Sequence, residues 1–164
     1  MRGREYGAHI LDVPPDGLAA FFARGGKLLM SHGWTDGLIP ATNALRFYAD
    51  LMPKLTPQQS ASQYRLFMVP GMDHCAGGEG VSQFDTLGTI DAWATTGTAP
   101  ERIIATRPIV AGGLPGAPAG PPREPLSRPL CPYPQYARYN GTGDPAEAAS
   151  FSCVGPNAAI GERG

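Results

Sequence analysis

The sequence predicts an α/β fold built on a parallel sheet, and three observations carry that prediction. Short apolar runs alternate with helical periodicity in the order strand, helix, strand, helix, strand. The first two runs each stop in a loop where polar residues collect. And 42% of the 164 residues are hydrophobic, enough to bury the core of one domain.

Gly25-Gly26 opens a turn, and Lys27 to Ser31 form a buried strand that stops at His32-Gly33-Trp34-Thr35-Asp36-Gly37. Pro40 precedes a helix over 41–54, in which Ala44, Leu45, Tyr48, Leu51 and Met52 recur at helical spacing and Thr42 or Asn43 stands as the cap. Tyr64 to Val69 form a second strand, which Pro70-Gly71 ends and which delivers Met72-Asp73-His74-Cys75-Ala76-Gly77-Gly78 into a loop. Phe84, Leu87, Ile90, Asp91, Trp93 and Ala94 outline a second helix that stops at Gly97, and Ile103-Ile104-Ala105 is a third strand of the same parallel sheet. Three strands and two helices leave one face of such a sheet uncovered, so further chain is expected to complete it.

Composition changes near Arg107. From Arg107 to Pro134, Gly and Pro are 13 of 28 residues. Residues 1–106 therefore read as the compact α/β portion, and residues 107–164 as a Pro/Gly-rich, strand-poor C-terminal appendage of the same domain. Cys131 and Cys153 flank a loop rich in Gly, Asn and Asp and are expected to form a disulfide, leaving Cys75 as an odd thiol.

Charge excludes other classes. Thirteen Lys and Arg against fourteen Asp and Glu give a formal charge of −1 with no basic block, which leaves no footprint for nucleic acid or for electrostatic attachment to a membrane. No run reaches the roughly 18 to 20 apolar residues of a membrane span. Met1-Arg2-Gly3-Arg4-Glu5 leads into polar sequence, so the chain as given is expected to carry no export address.

In open parallel sheets the ligand site lies beyond the carboxyl ends of the strands, and Asp36 and His74 stand there. A carboxylate after one strand and a histidine after the next is the order found downstream of the nucleophile in alpha/beta-hydrolases. A buried Asp accepts the imidazole Nδ1 proton and fixes the tautomer, while Nε2 exchanges a proton with a serine. The plainer alternative has Asp36 shaping the Thr35-Asp36-Gly37 turn or capping the next helix, and His74 as an ordinary loop histidine. His32, at the strand end, competes with His74 as the base but is expected to pack or hydrogen-bond locally. His32, Asp36, His74 and Cys75 lack the close pairing of metal ligands, so no metal is assigned. Cys75 beside His74 in an extended segment would point to the opposite face and make no thiolate–imidazolium pair. The seven serines, Ser31, Ser60, Ser62, Ser82, Ser127, Ser150 and Ser152, do not lie in a Gly-x-Ser-x-Gly elbow.

Several segments together resemble the C-terminal part of the tannase and feruloyl esterase family: Gly25-Gly26-Lys27-Leu28-Leu29 with His32-Gly33-Trp34-Thr35-Asp36-Gly37-Leu38-Ile39-Pro40, then Val69-Pro70-Gly71-Met72-Asp73-His74-Cys75-Ala76-Gly77-Gly78, then Arg128-Pro129-Leu130-Cys131-Pro132-Tyr133-Pro134-Gln135 and Phe151-Ser152-Cys153. The resemblance spans Asp16 to Val154. It implies the C-terminal part of a secreted or periplasmic alpha/beta-hydrolase that cleaves galloyl, hydroxycinnamoyl or related aromatic esters with a serine, an aspartate and a histidine. Carried over, Asp36 orients and His74 is the base. It further implies that Cys75 bridges to a cysteine beside the serine. That serine, the oxyanion-hole donors and a lid domain with a calcium ion lie upstream in the family, so the expected partners are an aromatic ester substrate and a missing N-terminal part, with no cofactor in this chain itself. Trp34 is a candidate for lining the site. The competing reading, from a different functional class, is a stand-alone non-catalytic module with relic loops and a partner-binding Pro-rich tail.

Overall fold

Side-chain alternation along one strand organises the molecule. The computed structural model describes residues 13–109 and 122–156; the polar start of the chain and positions 110–121 of the Pro/Gly-rich stretch lie outside the described residues. β1 (Leu28–Gly33) and β2 (Tyr64–Val69) pair in parallel, with Leu28 opposite Tyr64 and Gly33 opposite Val69. Successive strand residues face opposite sides. Tyr64, Leu66 and Met68 accordingly pack with Phe22, Ala44 and Leu51, while Phe67 and Val69 pack with Met72, Val81, Ile103, Ala105 and Leu130. Five of the six residues of β2 are buried, as a parallel strand covered on both faces requires. The exception, Arg65, sends its guanidinium to the carbonyls of Ser60, Ala61 and Pro100.

Short helices cover the first face. α1 (Ala19–Ala23) contributes Phe22 and α2 (Thr42–Leu51) contributes Ala44 and Leu51. α2 ends earlier than its periodicity suggests and passes into a 3-10 turn, Met52–Lys54, that holds Pro53. Neither Thr42 nor Asn43 caps it with a side chain; the Asn43 N–H donates to the Pro40 carbonyl at 2.9 Å instead. α3 (Pro57–Ser62) is an additional helix. Its signal is a capping box, in which Thr56 and Gln59 exchange side-chain and backbone hydrogen bonds, with Pro57 at the first position. α4 (Thr86–Thr96) starts at an Asp85 cap and stops at Gly97, whose φ of 75° is the left-handed conformation that closes a helix. Its Trp93 is buried and donates Nε1–H to the Ser62 carbonyl at 3.1 Å.

The third strand departs from expectation. β3 (Ile103–Thr106) pairs antiparallel with β4 (Ser127–Leu130), Ile103 facing Leu130, rather than extending the parallel pair. Burial alternates along it, with Ile103 and Ala105 inside and Ile104 and Thr106 outside. That pattern belongs to a strand with one buried face, where antiparallel pairing is at home.

The C-terminal segment is also richer in strands than its Pro and Gly content suggests. β4 is followed by β5 (Tyr136–Tyr139) and β6 (Phe151–Val154), an antiparallel pair. Cys131, directly after β4, is joined by a disulfide to Cys153 of β6. Among the described residues no helix is long and apolar enough to cross a membrane.

Candidate active site

Parallel pairing sends the loops after β1 and β2 out at the same end, and a glycine lets them touch. A Cβ on Gly33 would stand 2.1 Å from the Met72 carbonyl oxygen and 2.7 Å from that of Asp73. With that contact made, the Trp34 N–H donates to the Val69 carbonyl at 3.0 Å. The Met72 carbonyl accepts from both the N–H and the hydroxyl of Thr35, at 3.2 and 2.8 Å. Gly33→Ala is expected to destabilise the chain by about 1–3 kcal/mol, the usual cost of overpacking, since the obstacle is backbone. Urea unfolding checks it, and an unchanged midpoint would show that the loops can part freely.

Asp36 lies inside this junction with its side chain only 4% exposed. Its Oδ1 accepts from the N–H groups of Leu38 and Ile39, at 2.9 and 2.8 Å, and its Oδ2 lies 3.0 Å from His74 Nδ1. The Ile39 N–H, helped by the His74 hydrogen bond and the Leu38 N–H and opposed by burial, lowers the Asp36 carboxyl from 3.8 to about 2. A depressed carboxyl stabilises the fold wherever both states are ionised. As pH falls, the unfolded chain takes up this proton first. The contribution of Asp36 is therefore whole above about pH 4 and lost between about 4 and 2. Urea midpoints across that range should fall less steeply in Asp36→Asn; equal slopes in the two proteins would contradict the assignment.

His74 is held on the other loop. Its side chain is 40% exposed, and among the described residues Nε2 has no hydrogen-bond partner. The loop around it is tightly folded: Gly71, Gly77 and Gly78 have positive φ, and so does Cys75, at 62°. Cys75 is therefore in a left-handed turn, not the extended segment expected, and its thiol is free and exposed. Side chains from the second sheet region fasten the same loop. Arg123 donates to the Gly78 carbonyl at 2.6 Å and to Glu79 Oε1 at 2.8 Å, and Arg107 donates to the Glu79 carbonyl at 3.4 Å. Neither arginine carries a mark in the sequence: both sit where Pro and Gly dominate, and their partners on the His74 loop lie 28 to 45 positions away.

A cavity of about 210 Å³ opens beside the pair, lined by Asp36, His74, His32, Met72, Ser31 and Cys75 among others. Trp34, Leu38 and Ile39 stand exposed nearby in sequence, Trp34 at 46%. His32 hydrogen-bonds locally, its Nε2 3.0 Å from the Ile39 carbonyl oxygen. A larger cleft of about 800 Å³, lined by Arg65, Glu101, Tyr133 and Phe151, shares no residue with this cavity and brings together no acid–base pair of this kind. Among the described residues no three His, Cys, Asp or Glu side chains converge where a metal ion would sit.

The profile of the family described as "Tannase and feruloyl esterase" matches residues 3–154, nearly the whole chain. The chain belongs to the tannase and feruloyl esterase family. Within it, the chain is 42% identical over 139 residues to a mono(2-hydroxyethyl) terephthalate hydrolase of Piscinibacter sakaiensis, covering 85% of this chain and 21% of that protein. It is 34% identical over 143 residues to a probable feruloyl esterase of Arthroderma benhamiae, covering 85% of this chain and 25% of that one. Among solved structures, an esterase from Aspergillus oryzae superposes with a TM-score of 0.68 at 27% identity, over 84% of this chain and 29% of that one. The chain thus spans between a fifth and a third of the length of these similar proteins.

Proposed function

We propose that these residues supply the base of an aromatic-ester hydrolase, His74, and its orienting carboxylate, Asp36, as the C-terminal part of its alpha/beta-hydrolase sheet. The observation that carries the reading is the 3.0 Å contact between Asp36 Oδ2 and His74 Nδ1 at the ends of adjoining parallel strands. With Nδ1–H held by the carboxylate, Nε2 presents its lone pair outward. In the reaction a serine hydroxyl from sequence outside these 164 residues gives its proton to His74 Nε2 as its oxygen adds to the ester carbonyl carbon. The same proton passes from Nε2 to the departing alcohol oxygen as the carbonyl re-forms, leaving an acyl-serine. A water molecule then repeats the sequence and releases the acid. Asp36 keeps its charge throughout and stabilises the imidazolium in each half.

Membership of a family whose members carry esterase names supports the reaction class. Exposed Trp34, Leu38 and Ile39 offer apolar surface suited to an aromatic acyl group. The disulfide between Cys131 and Cys153 supports an oxidising compartment, periplasmic or extracellular. The calcium ion that the resemblance implies belongs to the family's lid domain, and among the described residues no three His, Cys, Asp or Glu side chains converge to hold one.

The experiment is a graft. The 164-residue chain alone should show no turnover of methyl ferulate, methyl gallate or mono(2-hydroxyethyl) terephthalate. Substituted for the matching segment of the Piscinibacter hydrolase, with the rest of that protein to supply the serine that the resemblance implies, it should support turnover of that enzyme's substrate. A folded but inactive graft would count against the proposal.

A further inference from the structure

We propose that His32 is a positioning residue for the Asp36–His74 couple, acting through Ile39; the proposal rests on the reading of that couple given above. Ile39 is held from both sides. Its N–H donates to Asp36 Oδ1 at 2.8 Å, and its carbonyl oxygen lies 3.0 Å from His32 Nε2. A carbonyl only accepts, so the contact requires the proton of His32 to sit on Nε2. The same Nε2 stands 3.6 Å from Asp36 Oδ2, too far for a hydrogen bond but near enough for its N–H dipole to favour the ionised carboxylate. His32 therefore closes a ring: strand end, Ile39 carbonyl, Ile39 N–H, carboxylate.

The arrangement has the features of a designed support. The His32 side chain is only 16% exposed, and it projects from the last-but-one residue of β1, which the register pairs with Met68. The loop it holds, from Gly33 to Ile39, contains every backbone donor that Asp36 Oδ1 uses. Without the His32 contact, the Ile39 carbonyl loses its side-chain anchor, and of the two N–H groups on Asp36 Oδ1 only that of Leu38 is unaffected. Oδ2 would then meet His74 Nδ1 only part of the time, and the imidazole would take up the other tautomer. Simple packing of the His32 ring makes none of these demands on Nε2.

Long-range proton–nitrogen correlation spectra of the imidazoles in the 164-residue chain test this, recorded at a pH where the nitrogen shifts themselves show both rings to be neutral. Wild type should show His32 protonated on Nε2 and His74 protonated on Nδ1. His32→Phe keeps a ring but removes the donor, and should lose the Nδ1–H form as the dominant tautomer of His74. His32→Gln keeps an amide N–H within similar reach and should retain it. Equal His74 tautomers in wild type and both variants, or equal loss in both variants, would overturn the proposal. A wild-type His32 with its proton on Nδ1 would overturn it however the variants fold. Asp36→Asn separates this from the parent reading: if the His74 tautomer ignores Asp36→Asn, the couple itself is wrong, whereas sensitivity to Asp36→Asn without sensitivity to His32→Phe removes only the role of His32.

Discussion

Asp36→Asn in the active graft is expected to lower kcat by about 10⁴-fold with KM little changed. The carboxylate touches His74 Nδ1 at 3.0 Å and has its other oxygen filled by two backbone N–H groups, so it acts on the imidazole and not on substrate. An amide in its place keeps the shape. It also puts an N–H within reach of Nδ1, which turns the proton of the imidazole onto Nε2 and leaves nothing there to accept from the serine. His74→Ala should be at least as severe. Steady-state kinetics on the host enzyme's substrate measure both, and a loss of less than about tenfold for Asp36→Asn would contradict its role, since that corresponds to only about 1.4 kcal/mol.

Removing the disulfide is the second large effect. Cys131 and Cys153 are 22 positions apart, and a loop of that size restricts the unfolded chain by roughly 3 kcal/mol in the chain-entropy account. The link also joins a buried position to the outer pair of strands: Cys131 is 5% exposed and follows Leu130 of the core, while Cys153 lies opposite Ala137 in the β5–β6 pair. Cys131→Ser with Cys153→Ser should therefore lower the urea midpoint and release β5 and β6 first, which amide hydrogen exchange would show as earlier loss of protection there than in β2. Equal stability of the two proteins under oxidising conditions would contradict it.

The parts legible in the sequence are the local ones. Tyr64 to Val69 announce a buried strand because five of six side chains are apolar, Gly71 marks where β2 turns, and Gly33 ends β1 where the loops must approach. Asp36 and His74 follow from the same logic, since a parallel pair places both strand ends together. The α3 capping box stands in Thr56-Pro57-Gln58-Gln59, but the segment has no apolar stripe to mark it as a helix. Pairing of β3 with β4 was not legible, because a four-residue run such as Ile103 to Thr106 carries no address for its partner; its alternating burial emerges only once Leu130 is packed beneath it. Pro and Gly content misled for Ser127 to Val154, where Pro129 is tolerated in a strand at the sheet margin. The fastening of the His74 loop by Arg107 and Arg123 was hidden for a related reason: a guanidinium that seeks backbone carbonyls leaves no mark on the residues it binds.

The most direct measurement is an experimental structure of the graft, with the serine of the host in place. The account predicts His74 Nε2 within about 2.6–3.2 Å of that serine oxygen while Nδ1 remains on Asp36 Oδ2. A serine paired with any other base, or His74 Nε2 facing away from it with the Asp36 contact intact, would contradict the account.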